Sequence, residues 1–510
     1  MIVLRTLFIA LAFTLLSTNL SILHSQDFSS LEYRNVGPYR GGRVTAVAGV
    51  TSQPSTYYMG ATGGGLWKTE DYGTSWSNVS DGFFKTPSIG AIAVAQNNPD
   101  IVYVGTGSDG LRSNLIEGKG MYKSTDGGKT WSETGLTNVG QIGAIRIHPD
   151  DHNIVYVAAL GRAFNSNPDR GLYKTTDGGN TWNKILFVSD ETGISDIEMM
   201  PDNFDIIYAA AWKAERKPWT ILSGGTPKEG GIYNSIDAGS NWTKLESGLP
   251  TKLIGKIDLE VCPADSKLLY ALVEAPEDEG GLYISDNYGE TFKHISDEKK
   301  IRTRPFYYTN IKVDPQNPDV IYSMATDYMK SADRGKTWTE LTSPHSDNHD
   351  MWINPDNPDL FIQSNDGGAN VTHNGGKSWS TQFNQPTSEI YQVEVDNQYP
   401  YWLYGGQQDN SSVKIPSMAV DASGINERHW TSSAGGESAF LAFDPDDPTM
   451  VLGGSYAGTI SALDTKAKTS SSIMAAIIQY MSRDAKDMKY RFNWNAPIIW
   501  SKHEPNTYYH

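Results

Sequence analysis

The chain has 510 residues with 49 Gly, 14 Trp, 27 Tyr and 38% hydrophobic residues, a profile of many short strands and turns rather than of a helical bundle. At this length more than one domain is expected. The formal net charge of −17 is spread without a basic stripe, which argues against nucleic acid and anionic membrane surfaces as partners.

In chain order the first element is an export signal. Met1 to Arg5 carries one positive charge, Thr6 to Leu16 is an apolar run, and small polar residues follow. This predicts a signal peptide over residues 1–25, with cleavage near Ser25–Gln26. The run is short for a spanning helix, so no membrane span is expected once it is removed. Cys262 is the sole cysteine, which excludes an internal disulfide and a lipid-modified N-terminal cysteine. A secreted or periplasmic location fits. No cofactor or metal is expected, and the oligomeric state is not legible.

Seven times between Thr69 and Trp379 the chain repeats one phrase: Ser or Thr, any residue, Asp or Asn, any residue, Gly, two more residues, then an aromatic. The third positions are Asp71, Asp126, Asp177, Asp237, Asn287, Asp333 and Asn374. Such a phrase reads as a hairpin. The Asp or Asn side chain accepts from the N–H groups of its own turn, Gly supplies a positive φ, and the closing aromatic offers its face to the next unit. A carboxylate so occupied is a poor general acid, so these residues are expected to be structural. The phrase resembles the Asp-box of bacterial sialidase-type repeats, and a period of roughly 40 to 60 residues indicates a propeller or solenoid.

Ahead of the boxes stand Pro-containing turns that run into strands ending in Tyr or Phe, as in Asn98-Pro99 to Tyr103 and His148-Pro149 to Tyr156. One unit therefore reads as strand A (Ile89 to Ala95), a Pro turn, strand B (Ile101 to Gly105), a loop, strand C (Met121 to Ser124), the box, and strand D from Trp131. Four antiparallel strands make one blade. The fold class expected is all-β: a seven-bladed propeller over residues 31–385, then the start of a second propeller over 386–510. The rival is a single ring of about ten blades. The chain reads as stopping in mid-unit, because Lys502 to His510 is another Pro turn without a box after it.

Strands alternate in direction, so Pro turns and boxes share one face while the B–C and D–A loops share the other. The loop face collects Arg40 and Arg43, Leu111 to Asn114, Arg302 to Tyr308, His345 to Trp352, Asn365 to Gly368, Gly406 to Asn410 and Gly435 to Ser438. His345, Asp347, His349 and Asp350 could alternate as metal ligands or close the channel mouth; the second reading is preferred. Asp347, Asp350, Asp366, Asp409 and Glu437 are the candidates for a glycosidase pair. Arg40, Arg43, His345, His349, Gln407, Gln408 and Asp409 are the candidates for ligand binding.

The boxes, the Pro turns and the phrases Gly60 to Gly65, Ser88 to Val94 and Gly406 to Asn410 resemble the exported bacterial family with sortilin N-terminal-type repeats, often labelled glycosyl hydrolase-like. The resemblance spans roughly Leu31 to Tyr509 and implies propellers akin to those of xyloglucanases and sortilin. The chain departs from true sialidases in lacking their Arg-Ile-Pro entry motif, and Ile473 to Met488 has helix-like composition where a blade hairpin would stand. Two functions follow. One is a recognition scaffold binding a glycan or peptide on the loop face; the other is a glycoside hydrolase using two loop-face carboxylates.

Overall fold

The computed structural model describes residues 30–112, 114–217, 220–419, 424–474, 484–504 and 506–510. The expected signal peptide lies outside them, as do residues 475–483 of the helix-like stretch. The chain divides into two compact units, Met1–Val36 and Gly37–His510. In the first, residues 30–35 are exposed and form no strand.

The second unit is built from strands, with only short 3-10 turns and no α-helix among the described residues. Its first seven sheets follow one another along the chain, and their innermost strands are Val44–Gly49, Ile89–Val94, Gln141–Ile147, Thr192–Met199, Ile257–Cys262, Asn310–Asp314 and Asn348–Ile353. Each innermost strand touches the next in chain order, and Asn348–Ile353 returns to Val44–Gly49. The ring therefore closes as a seven-bladed propeller, with no later strand inserted between blade 7 and blade 1. Three further sheets follow, beginning at Glu394–Val395, Leu441–Phe443 and Ile499–Trp500, as part of a second propeller.

Blade 7 carries three paired strands instead of four. Side-chain amides take over much of its outer edge: Gln385 Oε1 accepts from Ala369 N at 3.0 Å, Gln385 Nε2 donates to Ala369 O at 2.7 Å, and Asn370 Nδ2 donates to Ser380 O at 2.7 Å.

The repeated turn explains the regularity. In box 2, Asp126 Oδ1 accepts from Lys129 N at 3.0 Å, Thr130 N at 2.9 Å and Ser124 Oγ at 2.8 Å, while Oδ2 accepts from Thr130 Oγ1 at 2.6 Å. The residue after the Asp or Asn is left-handed as well as the Gly. Tyr72, Gly127, Gly178, Ala238, Tyr288, Arg334 and Gly375 have φ between 55° and 73°, so three blades tolerate a bulky side chain there and one an alanine. The N–H of that residue donates to the A–B turn of its own blade, as Gly127 N does to Asp100 O at 3.0 Å and Arg334 N to Asp319 O at 3.0 Å. Boxes and Pro turns therefore share one face.

The closing aromatic packs backward. Trp131 of blade 2 lies in the layer that holds Ala46, Tyr58 and Leu66 of blade 1, with its ring edge-on to Phe84 at 5.3 Å. Trp182, Trp242, Phe292, Trp338 and Trp379 repeat this around the ring, and Trp76 of blade 1 closes against Ile362 and Val371 of blade 7. The strand-B tyrosines point forward: Tyr58 Oη donates to Gly127 O at 2.9 Å, and Tyr103 Oη to His152 O at 3.1 Å.

Trp131→Ala should cost ~3–5 kcal/mol in chemical denaturation, the range for a large buried aromatic. For Asp126, hydrogen bonds from the Thr130 hydroxyl and N–H hold the carboxyl down at about 2. A depressed carboxyl contributes stability that is present above its unfolded value and lost as pH falls through its folded value. Asp126→Ala should lower the melting temperature at pH 7. Asp126→Asn should lower it less and flatten its decline between pH ~4 and ~2, because Asn287 and Asn374 already make the same bonds to Thr291 N and Ser378 N.

Candidate functional site

The chain enters blade 1 through Arg40-Gly41-Gly42-Arg43. A Cβ on Gly41 would sit 2.1 Å from Gly367 O, and one on Gly42 would sit 2.4 Å from Thr387 O. Only glycine lets this segment slot between those backbones, with Gly41 N donating to Gln382 O at 2.8 Å. The slot aims Arg43 across the ring mouth.

Arg43 is buried and meets three carboxylates. Its Nε lies 2.8 Å from Asp366 Oδ1, Nη2 2.6 Å from Asp409 Oδ2 and Nη1 3.0 Å from Glu389 Oε2. Asp366 sits in the turn between the second and third strands of blade 7. It also accepts from Tyr307 Oη at 2.5 Å and pairs with His349 Nε2 at 2.7 Å. Burial disfavours the Arg43 charge, but Asp366, Tyr307, Glu389 and Asp409 outweigh it and push its pKa up. Burial likewise works to raise Asp366, yet Arg43 and His349 hold its carboxyl far below the usual range. Asp409 goes the other way: burial, then repulsion from Asp366, push it up to about 8. The two carboxyls share one cation, and their surroundings push them in opposite directions.

Around this centre Glu389 Oε1 accepts from Asn114 Nδ2 at 2.5 Å, and Arg112 lies over the Tyr307 ring at 5.1 Å. Glu437 Oε2 accepts from Gln408 Nε2 at 3.0 Å and from Asp409 N, while Glu437 Oε1 accepts from Tyr456 Oη. Tyr456 packs against Trp494 with centroids 4.3 Å apart and the rings tilted by 36°, and Trp494 Nε1 donates to Tyr391 Oη at 3.3 Å. Trp494 is 46% exposed. An aromatic platform thus borders the acidic pair Asp409 and Glu437.

Of the sequence candidates, Arg43, His349, Asp366 and Asp409 are in direct contact, and Gln408 and Glu437 adjoin them. Gln407 holds Arg40 at 2.5 Å. His345 reaches the cluster only through Asp409 O at 3.2 Å. Asp347 is taken by Tyr308 Oη at 3.1 Å and Arg304 at 3.2 Å. Asp350 lies apart, accepting from Val47 N at 2.9 Å between blades 7 and 1. The two histidines and their neighbouring aspartates do not converge, and no metal-holding cluster occurs among the described residues. Asp366, saturated with donors and fully ionised, is unsuited to proton donation. Tyr307 lies in the loop-face segment Arg302 to Tyr308, but Glu389, Tyr391, Tyr456 and Trp494 were not singled out from sequence: each is an ordinary residue in a strand-poor stretch, and only folding brings it to the mouth.

Two cavities lie along the channel, apart from this cluster. One of about 620 Å³ opens at the Pro-turn end, lined by Ile92, Met199, Val313 and Trp352 above the ion pairs Arg146–Glu198 and Lys312–Glu260; one of about 80 Å³ lies deeper.

A family profile described as Sortilin-Vps10 (sortilin, neurotensin receptor 3) matches residues 64–193 and 280–414. That is more than half of the chain, so the chain belongs to this family. Curated relatives include a xyloglucanase of Acetivibrio thermocellus, 24% identical over 355 residues that cover 62% of this chain and 41% of the relative. Another is a xyloglucanase of Hypocrea jecorina, 25% identical over 337 residues that cover 59% and 39%. The chain thus matches less than half the length of these relatives. Among solved structures, the GH74 xyloglucanase from Xanthomonas campestris is similar with a TM-score of 0.55 at 14% identity, covering 86% of this chain and 80% of that chain. At that identity the likeness concerns the fold.

Removing Asp366 leaves a buried guanidinium short of its main partner, so Asp366→Ala should cost ~3–5 kcal/mol in chemical denaturation. Asp409 has the opposite sign of linkage. Its raised carboxyl contributes stability that is present below its unfolded value of ~3.9 and lost as pH rises through about 8. Asp409→Asn should therefore flatten the fall in melting temperature between pH 4 and 8.

Proposed function

We propose that the chain is an exported bacterial propeller of the Asp-box type that binds a glycan on its loop face. Residues 31–385 form the ring in this reading, and residues 386–510 begin a second propeller that supplies the other wall of the site. The observation that carries it is the Tyr391, Tyr456 and Trp494 platform beside Asp409 and Glu437: flat apolar faces stack on sugar rings, while adjacent polar groups orient hydroxyls. The xyloglucanase relatives support a glycan over a peptide.

A hydrolase reading is favoured by the setting of Asp409, where burial and then the neighbouring Asp366 charge raise its carboxyl to about 8. A carboxylic acid still protonated at neutral pH is what protonating a glycosidic oxygen requires. Its partner would be Glu437, since Asp366 and Glu389 are both paired with Arg43.

Calorimetric titration with xyloglucan oligosaccharides should show binding that Trp494→Ala weakens about tenfold or more, with an unchanged melting temperature. Release of reducing ends that Asp409→Asn abolishes while binding persists would establish the hydrolase. Absence of binding to xyloglucan, mixed-linkage glucan and other polysaccharides would refute the glycan reading.

A further inference from the structure

Arg40 and Arg43 enter the first blade three residues apart and meet opposite surroundings. Arg43 faces three carboxylates. Arg40 is 8% exposed and has no carboxylate partner among the described residues. Its Nε donates to Gln407 Oε1 at 2.5 Å, and Gln407 is itself anchored by donating from Nε2 to Gly41 O at 2.7 Å. Its Nη2 is buried without an acceptor. Burial pushes the guanidinium down to about 10, with no neighbouring anion to offset it.

The guanidinium lies over the Trp430 ring, Cζ 5.3 Å from the centroid, and Trp430 Nε1 is also buried without an acceptor. Phe383, 42% exposed, meets Trp430 edge-on at 5.6 Å. Arg40 and Trp430, in contact through the ring, thus each carry a buried donor without an acceptor. A buried cation without an anion is costly to keep, and a fold that pairs Arg43 three times over leaves Arg40 with no carboxylate among the described residues.

We propose that Arg40 and Trp430 form an anion subsite of the loop face that takes the carboxylate of an acidic sugar, a uronate. A carboxylate presents two coplanar oxygens, which a guanidinium edge matches, and the indole and phenyl rings can receive the pyranose that carries it. Gln407 is the positioning residue, and its neighbours Gln408 and Asp409 join the subsite to the platform. The carboxylates of the main site do not compete for Arg40, because Asp366, Asp409 and Glu389 surround Arg43. This inference rests on the glycan reading and narrows it to ligands carrying negative charge.

The test is calorimetry on the full chain with trigalacturonic acid, its methyl ester and a neutral xyloglucan heptasaccharide. The acid should bind about tenfold tighter than its ester, with the gap narrowing as salt is added. Arg40→Gln should close the gap, leave the neutral sugar's affinity unchanged and not lower the melting temperature, since no ion pair is lost. Should that variant fail to fold, Trp430→Phe, which keeps a ring and removes the N–H, should reduce the preference for the acid. Equal binding of acid and ester beside normal binding of the neutral sugar would overturn the subsite and leave the glycan reading intact. No binding of any of the three would overturn both. A lowered melting temperature with an unchanged acid preference would assign Arg40 to structure alone.

Discussion

One buried guanidinium ties this molecule together. Arg43 stands at the entry to the first inner strand, crosses the ring mouth and meets Asp366 of blade 7, Tyr307 of the loop before blade 6, and Asp409 and Glu389 from beyond the ring. A charge out of water is tolerated only when paired and hydrogen-bonded, so each partner must hold its place. The same cation joins blade 7 of the closed ring to Asp409.

The opposite face is governed by a local rule. Every box satisfies its own backbone, donates to the Pro turn of its own blade and seats an aromatic on the blade before it. Because these bonds are short in sequence separation, the scaffold repeats almost without variation. The inner strands add links of longer range: Asp196 Oδ2 accepts from Leu259 N, Asp258 Oδ2 from Ile311 N and Asp350 Oδ2 from Val47 N, at 2.8, 2.7 and 2.9 Å. The variable loops are thereby carried on a fixed frame, the setting in which binding groups are found.

At the site, charge is divided unequally. Asp366 is enclosed and held far below the usual carboxyl range, whereas Asp409, a quarter exposed, is pushed above it. Their difference arises from position relative to one cation: Asp366 has Arg43, Tyr307 and His349, whereas Asp409 shares only what remains of Arg43. The aromatic rim of Tyr456 and Trp494 comes from the part of the chain beyond the ring, so the site draws on both sets of sheets.

The sequence by itself determined the all-β class, the seven units, the strand phase and the face on which the loops gather, because box geometry, turn glycines and alternating strands are decided by residues within ten positions of one another. It also picked out Arg43, His349, Asp366, Asp409 and Glu437. What it could not assign was role. Whether Asp366 is an acid or an anchor depends on Arg43, 323 residues away. Whether Arg40 is paired depends on which carboxylates reach it, and Glu389, Tyr456 and Trp494 carry no local signature at all. The identity of an ionised group's partners is a property of three-dimensional proximity and of burial, and these exist only once the ring has closed.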